Sequence, residues 1–234
     1  MDDYRQHTAE ETAHPEPRNP VFEGIERAIH EQRLPPGTRL AEGELGEIYG
    51  VSRTIVRAGL QELSHAHLVS LRHNRGARVA QPSPQEAREV FEARELIEPR
   101  TAREAARRMT AADAKRLRAH CEEEKRALEA SDHGRALRLS GRFHIEIATV
   151  AGQQTLCEFV EQLVARSALI IALYWSRERV RCDSNCHQNI LKAMANNDPD
   201  EAESLMRSHL VDIHSTLRFA DEPATKPDLR SMLT

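Results

Sequence analysis

Apolar positions in residues 45–64, LGEIYGVSRTIVRAGLQELS, recur at helical spacing on both sides of one glycine. Leu45 and Ile48 close a short helix, Gly50 marks a turn, and Ser52 offers the N-cap oxygen of a second helix with the stripe Val56, Leu60 and Leu63. Val51 just before the cap and Val56 at the fourth helical position form a hydrophobic staple, which sets the angle of entry into that helix. The opposite face carries Arg53, Thr54, Arg57 and Gln61, with the two arginines four apart at the helix start. Upstream, Val21, Phe22, Ile25 and Ile29 share one stripe, which predicts a helix from Pro20 to near Leu34, ahead of Pro35-Pro36-Gly37. Downstream, Val69 and Leu71 alternate, Asn74 to Gly76 can turn, and Val79 returns on a second short strand. The spacing therefore predicts a helix-turn-helix followed by a β-hairpin wing tipped with His73 and Arg75.

Pro82-Ser83-Pro84 biases the chain away from helix and reads as a linker. Beyond it the pattern is helical throughout, in segments of about 85–108, 111–130, 133–150, 154–178, 184–196 and 199–219, with breakers at Thr110, Asp132, Gly152, Asp183 and Asp198-Pro199. The expected fold is mostly α: a winged helix-turn-helix domain over residues 19–82, then an all-α helical bundle over 83–220. Residues 1–18 are polar and aperiodic and are expected to form a disordered arm, and 221–234 a flexible tail.

Composition adds to this in two places. The net charge is −4, which excludes a basic protein that coats nucleic acid with its whole surface. Yet residues 51–80 hold Arg53, Arg57, Arg72, Arg75 and Arg78 against the single acid Glu62, so a basic patch coincides with the helix-turn-helix and wing. Four cysteines (Cys121, Cys157, Cys182 and Cys186), without a signal peptide or an apolar run of transmembrane length, point to a reduced, cytoplasmic compartment.

The exposed arginines sit at a helix N-terminus, whose free N–H groups attract phosphate, and arginine donates in bidentate fashion to guanine O6 and N7. A solvated amphipathic helix would show the same two arginines, so the surrounding residues decide. Residues 20–82 contain Leu34-Pro35-Pro36-Gly37, Arg39-Leu40, Glu44-Leu45, Val51-Ser52-Arg53-Thr54, Val56-Arg57, Leu60, Leu63, Leu68-Val69 and Arg75-Gly76. Through these residues the segment resembles the winged helix-turn-helix domain of GntR-family transcription regulators. The resemblance implies that Arg53, Thr54, Arg57 and Gly76 touch DNA, and Gln61, His73 and Arg75 lie on the same face or wing tip. Gly43, Ile55, Ala58 and His67 depart from common family residues, which bears on the operator sequence. Gly59 inside the recognition helix is expected to weaken it by about 0.5 to 1 kcal/mol relative to alanine. With one helix-turn-helix per chain, only a homodimer reads a two-fold symmetric double-stranded operator, and the helical C-terminal domain is the expected dimer surface.

Three histidines of the bundle each lie on an apolar stripe: His144 with Leu137, Ile147 and Ala148, His187 with Ile190, Leu191 and Met194, and His209 with Leu205, Met206 and Ile213. One inward histidine is usually a satisfied core residue. Three on different helices can bring their imidazoles together, and neutral imidazole is a common transition-metal ligand. This region resembles the FCD ligand-binding domain of the FadR-type GntR subgroup, through Arg94 in ARELIEP, Phe143-His144 in GRFHIEIA, His187 in NCHQNILKAM and His209-Leu210 in LMRSHLVDI. The resemblance implies a divalent ion (zinc, nickel or manganese) on His144, His187 and His209, together with an Asp or Asn one turn before the first. That position is Ser140 here, which leaves two alternatives: a three-histidine site completed by water or effector, or a metal-free polar pocket.

Arg94 either faces an effector pocket, where its fork would grip a carboxylate, or forms a surface ion pair with Glu98 at i+4. The expected effector is a small carboxylate bound among Arg94, Ser140, His144, His187 and His209. Cys182 and Cys186 beside His187 match no strong zinc pattern. A metal-dependent hydrolase built on the three histidines is the competing class; it is disfavoured by the lack of HExxH and of nearby paired carboxylates on the inward faces, and by the DNA-binding domain that the N-terminal third resembles. The sequence thus points to a metabolite-responsive transcription regulator, a repressor released by a small organic acid, and away from an enzyme or a membrane protein.

Overall fold

A computed structural model of the chain describes residues 19–72, 76–175 and 185–218. The expected arm, the wing tip at His73 and Arg75, Cys182 and the tail lie outside the described residues. The N-terminal part consists of α1 (Pro20–His30), β1 (Arg39–Leu40), α2 (Glu42–Tyr49), α3 (Arg53–His65), β2 (Val69–Arg72) and β3 (Gly76–Val79). The remainder is helical: α4 (Pro84–Arg108), α5 (Ala111–Glu129), α6 (His133–Ala151), α7 (Gln154–Tyr174), α8 (Cys186–Ala195) and α9 (Pro199–Thr216). This is the mostly α architecture expected, a small antiparallel sheet and a helix-turn-helix followed by a helical bundle.

Gly50 takes a left-handed conformation at φ 64° and ends α2, and the Ser52 hydroxyl then accepts from Ile55 N–H to open α3. Helix α1 stops at His30 rather than near Leu34. Gln32 turns to φ 55°, and Arg33 N–H and Gln32 N–H bond back to the carbonyls of Ala28 and Ile29, a closure that satisfies the last turn without glycine. The sheet holds a third strand, β1, which pairs with β3 through Leu40 and Ala77. A two-residue strand has no periodicity to detect. Val69 is buried but Leu71 is half exposed, because β2 is an edge strand running out to the wing. His67 holds φ 58°, a conformation that favours glycine.

The breakers in the bundle double as caps. The Ser83 and Thr110 side chains make capping boxes with Glu86 and Asp113, and Asp132 and Asp198 accept from the N–H groups of Arg135 and Glu201. Helix α7 ends at Tyr174 rather than 178, because Trp175 is extended and bridges to Leu217 while Arg218 N–H bonds to the Tyr174 carbonyl. Helix α4 runs through Pro99, which cannot donate to Glu95; Arg207 of α9 reaches that carbonyl instead, at 3.5 Å.

The core beneath the helix-turn-helix does not stop at the linker. Val21, Ile25, Leu45, Val56, Leu60, Leu63 and Leu68 pack in one cluster with Ala165, Ala168 and Leu169 of α7. Helix α1 therefore lies between α3 and the bundle, and its own stripe explains how. Val21, Ile25 and Ala28 are buried, while Glu23, Glu26, Arg27 and His30 line a cavity against α6 and α7.

Gly59 has a structural reason that the sequence concealed. A Cβ there would sit 2.6 Å from Asn19 Oδ1 and 3.0 Å from Val21 Cβ. Asn19 caps α1 through Val21 N–H and also donates to the Ile55 carbonyl. Gly59→Ala is thus expected to lower stability by about 1 kcal/mol in urea melts, since disturbing the cap and this contact outweighs the gain in helix propensity. A variant more stable than wild type would show that α1 and α3 have slack between them.

Candidate effector pocket and DNA-facing helix

His144 on α6, His187 on α8 and His209 on α9 are all buried and converge. His187 Nε2 lies 3.1 Å from His209 Nε2, which lies 3.3 Å from His144 Nε2. Phe143 stacks on His187 at a centroid distance of 4.3 Å, so an aromatic wall fixes that ring. Carboxylates stand behind two of the rings. His187 Nδ1 is 2.7 Å from Glu124 Oε2, and His144 Nδ1 is 2.5 Å from Glu98 Oε2. The Glu124 contact is a hydrogen bond and favours the His187 tautomer with its proton on Nδ1, which leaves the Nε2 lone pair facing the cluster, while Glu98 lies against His144 Nδ1 as a close charge off the hydrogen-bond line.

Burial depresses the basicity of His144, with Arg94 adding to the effect and Glu98 opposing it. His209 is held well below the usual histidine range by burial and by the two neighbouring imidazoles. Both are therefore neutral at neutral pH, the form that ligates metals. The fit to a divalent ion follows from the donor set. Nitrogens 3.1 and 3.3 Å apart, each about 2.0–2.1 Å from a shared ion, would subtend angles of roughly 95–110°, from near octahedral to tetrahedral values.

Arg94 and Glu98 do pair, but the pair is not on the surface. Arg94 Nε and Nη2 lie 2.5 and 3.2 Å from the two Glu98 oxygens, and the residues are 3% and 1% exposed. Burial alone would raise the Glu98 carboxyl, yet Arg94 and His144 hold it down to about 2. Single carboxylates do reach the cluster from behind, Glu98 at His144 and Glu124 at His187, each on its own histidine. Spacing of i+4 is the same for an exposed and a buried pair, so only the packing of α6 and α9 on α4 distinguishes them. Cys121, buried near Glu124, is pushed up to about 12 and is an inert thiol.

A cavity of about 500 Å³ opens beside the histidines, bounded by α1, α4, α6, α7 and α9. Arg94, Ser140 and His144 are on its wall, with Ser140 one helical turn before His144. His187 and His209 are not; they stand behind His144, so of the five expected effector contacts the cavity brings together three. The sequence reading missed His30 and Arg138 on the same wall. His30 belongs to the N-terminal part, and no local pattern links it to α6.

On the other side of α1, the recognition helix presents Arg53, Thr54, Arg57 and Gln61 to solvent, and Gly76 opens β3 at φ 73°. Arg57 Nε is engaged by Glu42 of α2 at 2.8 Å, an exposed pair that contributes little in water. Arg78, also exposed, donates to the Gly37 carbonyl at 3.1 Å.

Comparison with known proteins agrees with both halves. Residues 17–79 match the model of bacterial regulatory proteins of the gntR family, and residues 89–212 match the FCD domain. The chain is 27% identical over 209 residues to the HTH-type transcriptional repressor RspR of Escherichia coli K12, covering 86% of this chain and 91% of that one. It superposes on E. coli McbR/YncC with a TM-score of 0.75 at 21% identity, covering 83% of this chain and 93% of that structure. A GntR transcriptional regulator from Rhodococcus sp. RHA1 gives 0.73 at 21% identity, over 83% and 94% of the two chains. Neither the family models nor these relatives support the metal-dependent hydrolase considered from sequence. The chain belongs to the GntR family of bacterial regulatory proteins: it is a transcription regulator that couples an N-terminal helix-turn-helix to an FCD effector-binding domain.

Proposed function

We propose that the protein is a cytoplasmic, homodimeric repressor that leaves a two-fold symmetric operator when a small organic acid enters the cavity beside His144. The observation that carries this reading is the convergence of three imidazole Nε2 atoms next to a cavity that also holds Arg94 and reaches α1. His144, His187 and His209 would hold one divalent ion (zinc, nickel or manganese), and Ser140, a poor ligand, would leave a coordination position for the effector or water. When bound, such an ion supplies a positive charge that attracts a carboxylate. Glu98 neutralises Arg94, so Arg94 contributes shape and orientation to the wall more than net charge. For release of DNA the acid must prefer the non-DNA conformation; a tenfold preference shifts the balance by about 1.4 kcal/mol per site.

Arg53, Thr54, Arg57, Gln61, Gly76 and the wing-tip His73 and Arg75 are the proposed DNA contacts. Arg53→Ala and Arg57→Ala are each expected to weaken specific DNA binding by about 1 to 3 kcal/mol in gel shifts on the DNA flanking the gene. Unchanged affinity in both variants would rule out α3 as the reading helix. Residues 85–220 are the proposed dimer-forming part, since two half-sites require two chains.

A further inference from the structure

The cavity beside His144 has a second polar end, formed where the DNA-binding part meets the bundle. Two polar atoms there are enclosed by protein and have no hydrogen-bond partner: His30 Nε2 on α1 and Arg138 Nε on α6. Both residues line the cavity. The acid Glu31 Oε1 is 3.3 Å from Arg138 Nε but off the hydrogen-bond line, and Glu31 already pairs with Arg33 at 2.9 Å. Buried donors and acceptors are rarely left unmade in native proteins, because each costs about 1 to 3 kcal/mol. These two atoms belong to residues on opposite sides of one seam that both line one cavity, and the Arg138 side chain is 38% exposed, so a small shift of either side chain brings a donor to a ligand group there.

We propose that His30 and Arg138 form a distal subsite that takes the second carboxylate of a dicarboxylic acid whose first carboxylate lies at the His144 end. This rests on the effector reading above and narrows its ligand class. Arg138 Nε–H donates to the distal carboxylate, and His30 donates from Nε2 in the neutral tautomer that carries its proton there. Burial and the nearby Arg138 keep His30 uncharged, with its basicity lowered to about 4. Arg138 and His144 are six residues apart on α6, about 9 Å of helical rise, so the two ends suit an acid longer than malonate. The wall is not uniformly positive: Glu23, Glu26, Glu146 and Glu161 share it with Arg27 and Arg142, and Arg142 pairs with Glu146 at 3.2 Å. Selectivity at the seam therefore comes from the two unsatisfied donors and not from a general positive field.

The placement gives the acid a direct hold on the DNA-reading machinery. A ligand bridging α6 and His30 grips α1, whose opposite face packs on α3 and whose cap Asn19 bonds to the Ile55 carbonyl. Ligand length is then read at the seam itself.

Calorimetric titration of the full chain with malonate, glutarate, adipate and the one-ended hexanoate tests this. Wild type is expected to bind adipate or glutarate roughly tenfold or more tighter than hexanoate and malonate, the discrimination of one charge-assisted hydrogen-bond site. Arg138→Gln and His30→Gln, made separately so that one misfolded variant leaves the other informative, should bring the long dicarboxylates down to the hexanoate level while hexanoate itself stays within about twofold. Equal binding of adipate and hexanoate by wild type, or a retained preference in the folded variants, overturns the distal subsite and leaves the effector reading standing. No binding of any acid, or unchanged binding of all of them in His144→Ala, overturns the effector reading and the subsite with it.

Discussion

His209→Ala is expected to lower divalent-ion affinity by two orders of magnitude or more in a folded protein. His209 Nε2 is the shared neighbour, 3.1 Å from His187 and 3.3 Å from His144, so its loss leaves two donors with no third to close the face. Removing an outer partner of a ligand costs about 10- to 100-fold, and removing the ligand itself costs at least that. Metal analysis of untagged protein, followed by competition titration with a chelator, reads the effect. Equal metal content in wild type and variant would dismiss the three-histidine centre. Acidification acts on the same atoms with a defined sign. His144, His209 and His30 have folded basicities below the unfolded histidine value of about 6.5, so the unfolded chain takes up protons first as pH falls. Metal-free stability is therefore full at pH 7 and declines below about pH 6.5, by up to about 1.4 kcal/mol per pH unit for each histidine, with the His30 contribution exhausted near pH 4.

Glu98→Ala is expected to destabilise the chain by about 3 to 5 kcal/mol, because it strands the Arg94 guanidinium inside the bundle. The replacement also removes the carboxylate 2.5 Å from His144 Nδ1 and frees that ring to reorient. The double variant Arg94→Leu/Glu98→Leu should recover most of the loss, since a buried pair replaced by packed apolar groups is often close to neutral. Urea melts of Arg94→Leu, Glu98→Leu and the double variant form the cycle. A cost under about 1 kcal/mol for Glu98→Ala would mean that water reaches Arg94 and that the pair is a surface feature after all. Glu98 titrates near 2 in the fold, so the stability it contributes is present above about pH 4.5 and is lost as pH falls toward 2.

Residues that act through their immediate neighbours in the chain were legible without the structure. Gly50 and Ser52 stop one helix and start the next by backbone conformation and a side-chain cap, and Ser83, Thr110, Asp132 and Asp198 start the bundle helices in the same way, so their boundaries fall within a few residues of expectation. The exposed arginine face of α3 and the inward stripes of His144, His187 and His209 follow from helical periodicity, which fixes which side of a helix a residue occupies.

Periodicity does not say which helix lies opposite. The burial of Arg94 with Glu98, the carboxylate of Glu124 behind His187, strand β1 and the need for glycine at position 59 all depend on partners distant in the chain. The seam is the clearest case. His30 sits on a helix that the sequence assigns to DNA binding, and Arg138 on one it assigns to the bundle. Only the packing of α1 against α6 and α7, which extends the core beneath the recognition helix into the bundle, brings these two residues, each with a nitrogen that makes no hydrogen bond, to the same cavity. The sequence determined the elements and the faces they present; tertiary packing decided which faces meet, because close contact between helices depends on shape and volume that no local spacing encodes.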